Sequence, residues 1–186
     1  MDNKEKFEKY ENLLKEWAQK INLVAPSTLS DIQNRHINDS AQLADYIPKN
    51  VNIIDLGSGA GFPGVVLAIL GWNVICLESI TKKTNFLNVL KQELDLPNLT
   101  IVNDRIENFL SKTPVNTGDF VFTARAFAPL IKILDYTHKK HCRLFLLKGR
   151  EIETEINTAK NKYKFDYELY PSKTGDGHIL YIKSVK

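Results

Sequence analysis

The residues able to do chemistry gather around one stretch, Asp55-Leu56-Gly57-Ser58-Gly59-Ala60-Gly61-Phe62-Pro63-Gly64. An apolar, β-branched run (51–56) leads into four glycines within eight residues, and an apolar helical segment (65–70) follows. Glycine permits positive φ and lets a ligand approach main-chain N–H groups at a helix start, where a first-turn proline forfeits no helical bond. The stretch therefore reads as strand, tight turn and helix start, the first βα unit of a nucleotide-type site. Spacing narrows this reading. A dinucleotide fingerprint G-x-G-x-x-G counted from Gly57 needs its third glycine at position 62, where Phe62 stands. Glu78 ends the next strand-like run about twenty residues after Gly57, a distance that suits a carboxylate accepting from ribose hydroxyls.

Other apolar runs also end in polar groups: Asn103-Asp104-Arg105-Ile106-Glu107, Thr123-Ala124-Arg125-Ala126-Phe127 and Leu147-Lys148-Gly149-Arg150. Asp104 is divided between capping the short helix that follows and touching a ligand. Arg125 and Lys148 are cations at strand ends; such a group binds a carboxylate, a phosphate or a base, or else pairs with a neighbouring helix. Upstream, His36 and Asp39 are three apart and Arg35 and Asp39 four apart, so on a helix their side chains are neighbours. A histidine so placed is more often structural than catalytic.

The elements that must position these groups alternate. Strand-like runs at 51–56, 73–77, 99–103, 120–123 and 143–147 are separated by helical patterns at 65–70, 81–94, 106–110 and 130–138, with a further helix at 151–163. This alternation implies a parallel sheet with right-handed crossovers. In such a sheet a ligand binds beyond the carboxyl ends of the strands, where the strand order reverses. Runs 165–170 and 178–184 have no helix between them and read as an antiparallel hairpin. Before the sheet, Phe7, Tyr10, Leu13, Leu14, Trp17 and Ile21 recur at helical spacing over residues 3–20, and after the break at Pro26 a second helix carries residues 35–40. The expected organisation is one domain over 1–186, with a helical extension (1–47) on an α/β core (48–186).

With 186 residues, 43% apolar and 25% charged, the chain has the makeup of a globular protein with one core. No apolar run approaches the roughly 20 residues of a membrane span, and the charged start at Met1-Asp2-Asn3-Lys4 is unlike a secretory signal, so a cytoplasmic protein with no membrane partner is expected. Cys76 and Cys142 read as buried, reduced packing residues; His138 and His141 lie near Cys142, but no second cluster completes a tetrahedral site, and no metal is expected. A net charge of +3 permits a nucleic-acid partner without arguing for one.

The run D-L-G-S-G-A-G resembles motif I of the class I S-adenosylmethionine-dependent methyltransferases, a Rossmann-like α/β fold. Taken with Arg35-His36-Ile37-Asn38-Asp39-Ser40, Phe62-Pro63-Gly64, Glu78-Ser79, Lys82-Lys83, Arg105-Ile106-Glu107, Arg125-Ala126-Phe127-Ala128 and Leu147-Lys148-Gly149, it resembles the RsmG (GidB) family. Phe62 stands where many members carry leucine, and Lys83 where arginine is common. The resemblance implies methyl transfer from S-adenosylmethionine to N7 of a guanine in 16S ribosomal RNA of the small subunit. It places Gly57, Phe62, Ile106, Glu107 and Arg125 at the cofactor, beside Ser58 and Gly59 of the loop and Glu78 at the ribose. Guanine N7 carries an in-plane lone pair and no proton, so in-line attack needs no general base. Catalysis is then expected from positioning, with Arg125 and Lys148 orienting cofactor or RNA and His36 and Asp39 shaping the pocket. A monomer is expected. Two other readings share the loop: a small-molecule or protein methyltransferase, and a non-catalytic RNA-binding module.

Overall fold

The computed structural model describes residues 1–113 and 120–185. Strands β1 (Asn52–Leu56), β2 (Val74–Glu78), β3 (Leu99–Asn103), β4 (Phe120–Arg125), β5 (Arg143–Lys148), β6 (Phe165–Pro171) and β7 (His178–Val185) form one sheet in the order β3-β2-β1-β4-β5-β7-β6. The first five run parallel, and β7 is antiparallel to both β5 and β6. Because β1 pairs with β2 on one side and β4 on the other, the order reverses beside the glycine loop. This is where an open α/β sheet offers a crevice.

Successive strand residues face opposite sides, and the two halves of the core follow from that alternation. Ile53 packs with α3 (Gly64–Ile69) and α4 (Thr81–Glu93), while Ile54 packs with α6 (Leu130–Thr137) and α7 (Ile152–Lys160). Both faces being covered, β1 reads as a continuous apolar run rather than an alternating one. The terminal hairpin is inverted relative to chain order: β7 lies inside and β6 at the edge. The more apolar of the two strands takes the buried place, Ile179, Leu180 and Ile182 being fully buried while β6 carries mostly half-buried side chains.

Helix α1 (Asn3–Ala18) begins in a capping box, in which Glu5 N donates to Asp2 Oδ1 and Asp2 N donates to Glu5 Oε2. It lies against α4 with Tyr10 and Leu14 fully buried in the core that also holds Ile53. The regular second helix expected around residues 35–40 is instead a series of short turns: 3₁₀ over Pro26–Asp31, π over Gln33–Asn38, an α-helical turn α2 (Asp39–Ala41), then 3₁₀ over Gln42–Asp45. Side chains bond to the backbone of these turns: Ser40 Oγ donates to His36 O one turn back (2.6 Å), and from β4 Arg125 Nη2 donates to Arg35 O (2.8 Å). Strand β4 runs two residues beyond the expected end at 123, because pairing with β5 continues to Arg125 opposite Leu147. Cys76 and Cys142 are free and buried.

Candidate active site

The glycine loop is held from beneath by a carboxylate. Asp55 on β1 is fully buried; its Oδ2 accepts from Gly64 N (3.2 Å) and its Oδ1 from Thr123 Oγ1 of β4 (3.1 Å). Burial pushes this carboxyl up to about 6, against the pull of its hydrogen bonds. Gly64 has no room for a side chain, since a Cβ would come within 2.7 Å of Asp55 Oδ2 and 2.6 Å of Cys76 Sγ. Gly57, Gly59 and Gly61 all have positive φ, and a Cβ on Gly57 would strike the Phe127 ring at 2.1 Å. The loop is thus pinned to two strands and to the turn after β4.

Above it opens a cleft of about 840 Å³, within the ~300–1,000 Å³ usual for ligand pockets. Gly57, Ser58 and Gly59 form its floor and Phe62 lines it too. Glu78 closes one end: Oε2 accepts from Gly59 N (2.9 Å) and Oε1 from Ile80 N (2.8 Å), which fixes the carboxylate against the loop with further lone pairs to offer. Ile106 and Glu107 open α5 (Ile106–Lys112), one buried and one exposed, on the far wall with Asp104. Asp104 accepts from Asn108 Nδ2 (3.1 Å) and Arg105 N (2.8 Å), bonds that lower its pKa; it does not cap α5, whose N-cap is Arg105 with no side-chain cap bond. Asn22-Leu23-Val24-Ala25-Pro26, between α1 and the short turns, also line the cleft.

Arg125 sits at the centre of a relay. Its Nη2 lies 2.8 Å from His36 Nδ1 and donates to Arg35 O, while Nε pairs with Asp39 Oδ2 at 3.0 Å. A guanidinium has only donors, so His36 Nδ1 accepts and its proton resides on Nε2. Nε2–H then donates to Thr28 Oγ1 (2.7 Å), whose hydroxyl donates to Ala25 O (2.7 Å) in the cleft wall. Burial, then the Arg125 and Arg35 charges, lower His36 to about 4, so the imidazole is neutral at pH 7. Phe62 is the hub of the packing, its ring stacked on Tyr10 (5.2 Å) and His36 (5.0 Å) with the Arg125 guanidinium 5.6 Å from its centroid. Tyr10 OH in turn donates to Ala60 O (2.7 Å), tying α1 to the loop.

The structure brings Arg125, His36, Gly57, Ser58, Gly59, Phe62, Glu78, Ile106 and Glu107 around one cleft. Asp39 stands behind it, where it holds Arg125 and accepts from Gln42 Nε2 (2.9 Å) and Thr174 Oγ1 (2.8 Å). The hairpin loop is thereby docked on the short turns, with Lys173 N donating to Gln42 Oε1 (3.0 Å) as well. Lys148 is not brought to this cleft; its ammonium donates to Ala128 O (2.9 Å) and Glu155 Oε2 (2.7 Å) in an adjacent recess. Asp55 and Tyr10 stand in patterns legible in the sequence but had no role of their own there, and neither had Thr28 or the wall at residues 22–26. A lone carboxylate inside an apolar β-run was the available signal for Asp55; the other contacts cross from the extension to the loop and have no local pattern. Among the described residues no cluster of His, Cys, Asp or Glu is arranged to hold a metal; His138 Nδ1 faces Leu134 O and Cys142 Sγ faces Lys140 O.

A parallel sheet reversing beside a glycine loop, with an antiparallel terminal hairpin, defines the class I methyltransferase fold. Solved structures share it: an S-adenosylmethionine-dependent methyltransferase from Aquifex aeolicus is 12% identical with TM-score 0.60, over 85% of this chain and 93% of that one. A precorrin methyltransferase from Geobacter metallireducens is 11% identical with TM-score 0.56, over 88% and 91%. Within that fold the sequence is more specific. The family model described as GidB, rRNA small subunit methyltransferase G, matches residues 3–177, and the chain belongs to this family. It is similar to the ribosomal RNA small subunit methyltransferase G of Orientia tsutsugamushi strain Ikeda, at 44% identity over 96% of this chain and 89% of that protein. The corresponding protein of Rickettsia prowazekii is 39% identical over 97% and 94%.

Proposed function

We propose that this protein, acting as a cytoplasmic monomer built as a single domain, transfers a methyl group from S-adenosylmethionine to N7 of a guanine in 16S ribosomal RNA. The residues fit that methyl donor. Glu78 offers a carboxylate to ribose hydroxyls, Ile106 an apolar edge for adenine with Glu107 at the rim, and the positive-φ backbone at Gly57, Ser58 and Gly59 a close approach for the amino-acid part. Arg125 supplies a cation to the cleft wall. The donor contributes an electrophilic methyl on a sulfonium. Transfer breaks the S–CH3 bond and forms N7–CH3, leaving the positive charge on the purine and releasing S-adenosylhomocysteine.

The observation that carries this reading is the state of His36. It is the histidine that lines the cleft, and both ring nitrogens are committed: Nδ1 accepts from Arg125 and Nε2–H donates to Thr28. It has no lone pair left to take a proton. A site that withholds its histidine from base chemistry suits a nucleophile that carries no proton, as guanine N7 does. The work left to Arg125, His36 and Asp39 is to hold geometry, and alignment alone is worth several orders of magnitude in rate. N7 of a paired guanine in A-form RNA lies in a groove that side chains cannot read, so the target belongs in an open or loop region. No helix among the described residues is long and apolar enough to cross a membrane.

The test is incubation with labelled S-adenosylmethionine and small ribosomal subunits from a strain lacking the modification, followed by mapping of the labelled nucleotide. Label at a guanine N7 of 16S rRNA is expected. Label elsewhere, or none while S-adenosylmethionine still binds, refutes the assignment.

A further inference from the structure

Beside the cleft lies a smaller recess of about 360 Å³, and Ala126 and Phe127 line both. The recess sits past the carboxyl ends of β4 and β5, where Ala124, Ala126 and Ala128 leave space that larger side chains would fill. Two charged groups face it. Lys148 Nζ donates to Ala128 O and to Glu155 Oε2, and Glu155 Oε2 also accepts from Leu130 N at 2.6 Å, so the carboxylate is anchored through one oxygen. Among the described residues no donor meets Glu155 Oε1. A recess that presents one free acceptor beside an ammonium whose side chain is only 8% exposed offers a two-point hydrogen-bond pattern, and such patterns discriminate best where the partners are shielded from water.

The pattern matches one purine. Guanine's Watson–Crick edge places two donors, N1–H and the 2-amino group, next to the O6 acceptor. Adenine places a 6-amino donor where guanine has O6 and a bare N1 where guanine has N1–H. Both purines carry a nucleophilic N7, so the choice between them cannot come from the reacting atom. We propose that this recess is the target-base subsite, with Glu155 Oε1 accepting from N1–H and the 2-amino group of the guanine and Lys148 donating to O6. The proposal rests on the rRNA reading above and adds the residue pair that sets base specificity. N7 lies in the five-membered ring, away from N1 and the 2-amino group, and so turns from the carboxylate toward the Phe127 wall shared with the methyl-donor cleft. Methylation puts positive charge on the purine and makes N1–H a stronger donor. A fixed carboxylate on that proton therefore binds the transition state more tightly than the ground state.

The test compares small subunits rebuilt with 16S RNA carrying guanosine or inosine at the modified position, inosine lacking only the 2-amino group. Wild-type protein and Glu155→Gln are assayed with labelled S-adenosylmethionine, and donor affinity and melting temperature are measured alongside. Glutamine keeps its carbonyl on Leu130 N and turns an amide donor to the place where Oε1 accepted. Wild-type protein is expected to favour guanosine about tenfold or more. Glu155→Gln is expected to lose that preference and to fall in kcat on guanosine with donor affinity unchanged, while the melting temperature drops because the buried Lys148 ammonium loses its carboxylate. A variant that keeps the wild-type preference, or that loses donor affinity in step with activity, overturns the subsite. A wild-type protein that methylates guanosine and inosine alike overturns it too. Failure of the wild-type protein to methylate guanosine at all brings down the rRNA reading itself, a separate result.

Discussion

Protonating His36 would set a second cation 2.8 Å from the Arg125 guanidinium, at the nitrogen that now accepts its hydrogen bond. That is why the imidazole is held at about 4 rather than 6.5, burial contributing most and the Arg125 and Arg35 charges next. Between those values the unfolded chain binds more protons than the folded one, so folding stability rises with pH across the window. The contribution is complete above 6.5 and is lost as the pH falls to about 4. At about 1.4 kcal/mol for each factor of ten, it amounts to at most about 3 kcal/mol. Asp55 works in the opposite direction: its raised pKa gives a contribution that is complete below 3.8 and lost as the pH rises through about 6. The two slopes oppose each other in the wild-type protein, and His36→Gln separates them. Urea unfolding of both proteins from about pH 4 to about pH 7 should show the wild-type advantage growing with pH by up to about 3 kcal/mol. Side-chain ¹⁵N spectra should show His36 as the neutral Nε2–H tautomer at pH 7, giving way to the imidazolium only as the pH approaches about 4. A His36 that titrates near 6.5, a Nδ1–H tautomer, or a difference between the two proteins that stays flat with pH would refute the relay.

Other residues make separate tests. Gly57→Ala must hold a side chain at φ +68° with its Cβ 2.1 Å from the Phe127 ring; the backbone alone costs ~1–2 kcal/mol, and calorimetry should find S-adenosylmethionine binding weakened by about tenfold or more. An unchanged affinity would mean that the loop does not meet the methyl donor. Phe62→Ala removes the ring between Tyr10 and His36 and should cost ~3–5 kcal/mol in urea unfolding, whereas a loss under ~1 kcal/mol would show that the stack closes up without it. Asp39→Ala leaves the Arg125 guanidinium without its carboxylate; a charged hydrogen bond is worth ~1.5–3 kcal/mol, so methyl transfer should fall by about tenfold to a hundredfold, and full turnover would remove Asp39 from the mechanism.

Much of the site could be read from the chain itself. The glycine spacing, Phe62 at the place a dinucleotide loop keeps for glycine, and Glu78 at the end of the next strand are local patterns, set by φ/ψ limits and by the length of one βα unit. The strand and helix alternation is equally local, since burial on both faces leaves continuous apolar runs between helical periods. The residues that give the cleft its state are another matter. His36 and Asp39 look like helix neighbours in the sequence, yet the turns there are irregular, and each residue meets Arg125 about ninety positions away.

Lys148 looks like a partner of Arg125, being a cation at the end of the adjacent strand. It belongs instead to the Glu155 recess, because α7 brings that carboxylate alongside and a buried ammonium takes the nearest one. The class of sheet, the loop and the acidic residue that follows it are legible along the chain, because they depend on backbone conformation and on periods of two and 3.6 residues. Which nitrogen of His36 keeps its proton, what Arg125 holds and where Lys148 points follow from the assembled fold. Hydrogen bonds between distant segments leave no period in the chain, and their partners are chosen only once the sheet has brought its strand ends together.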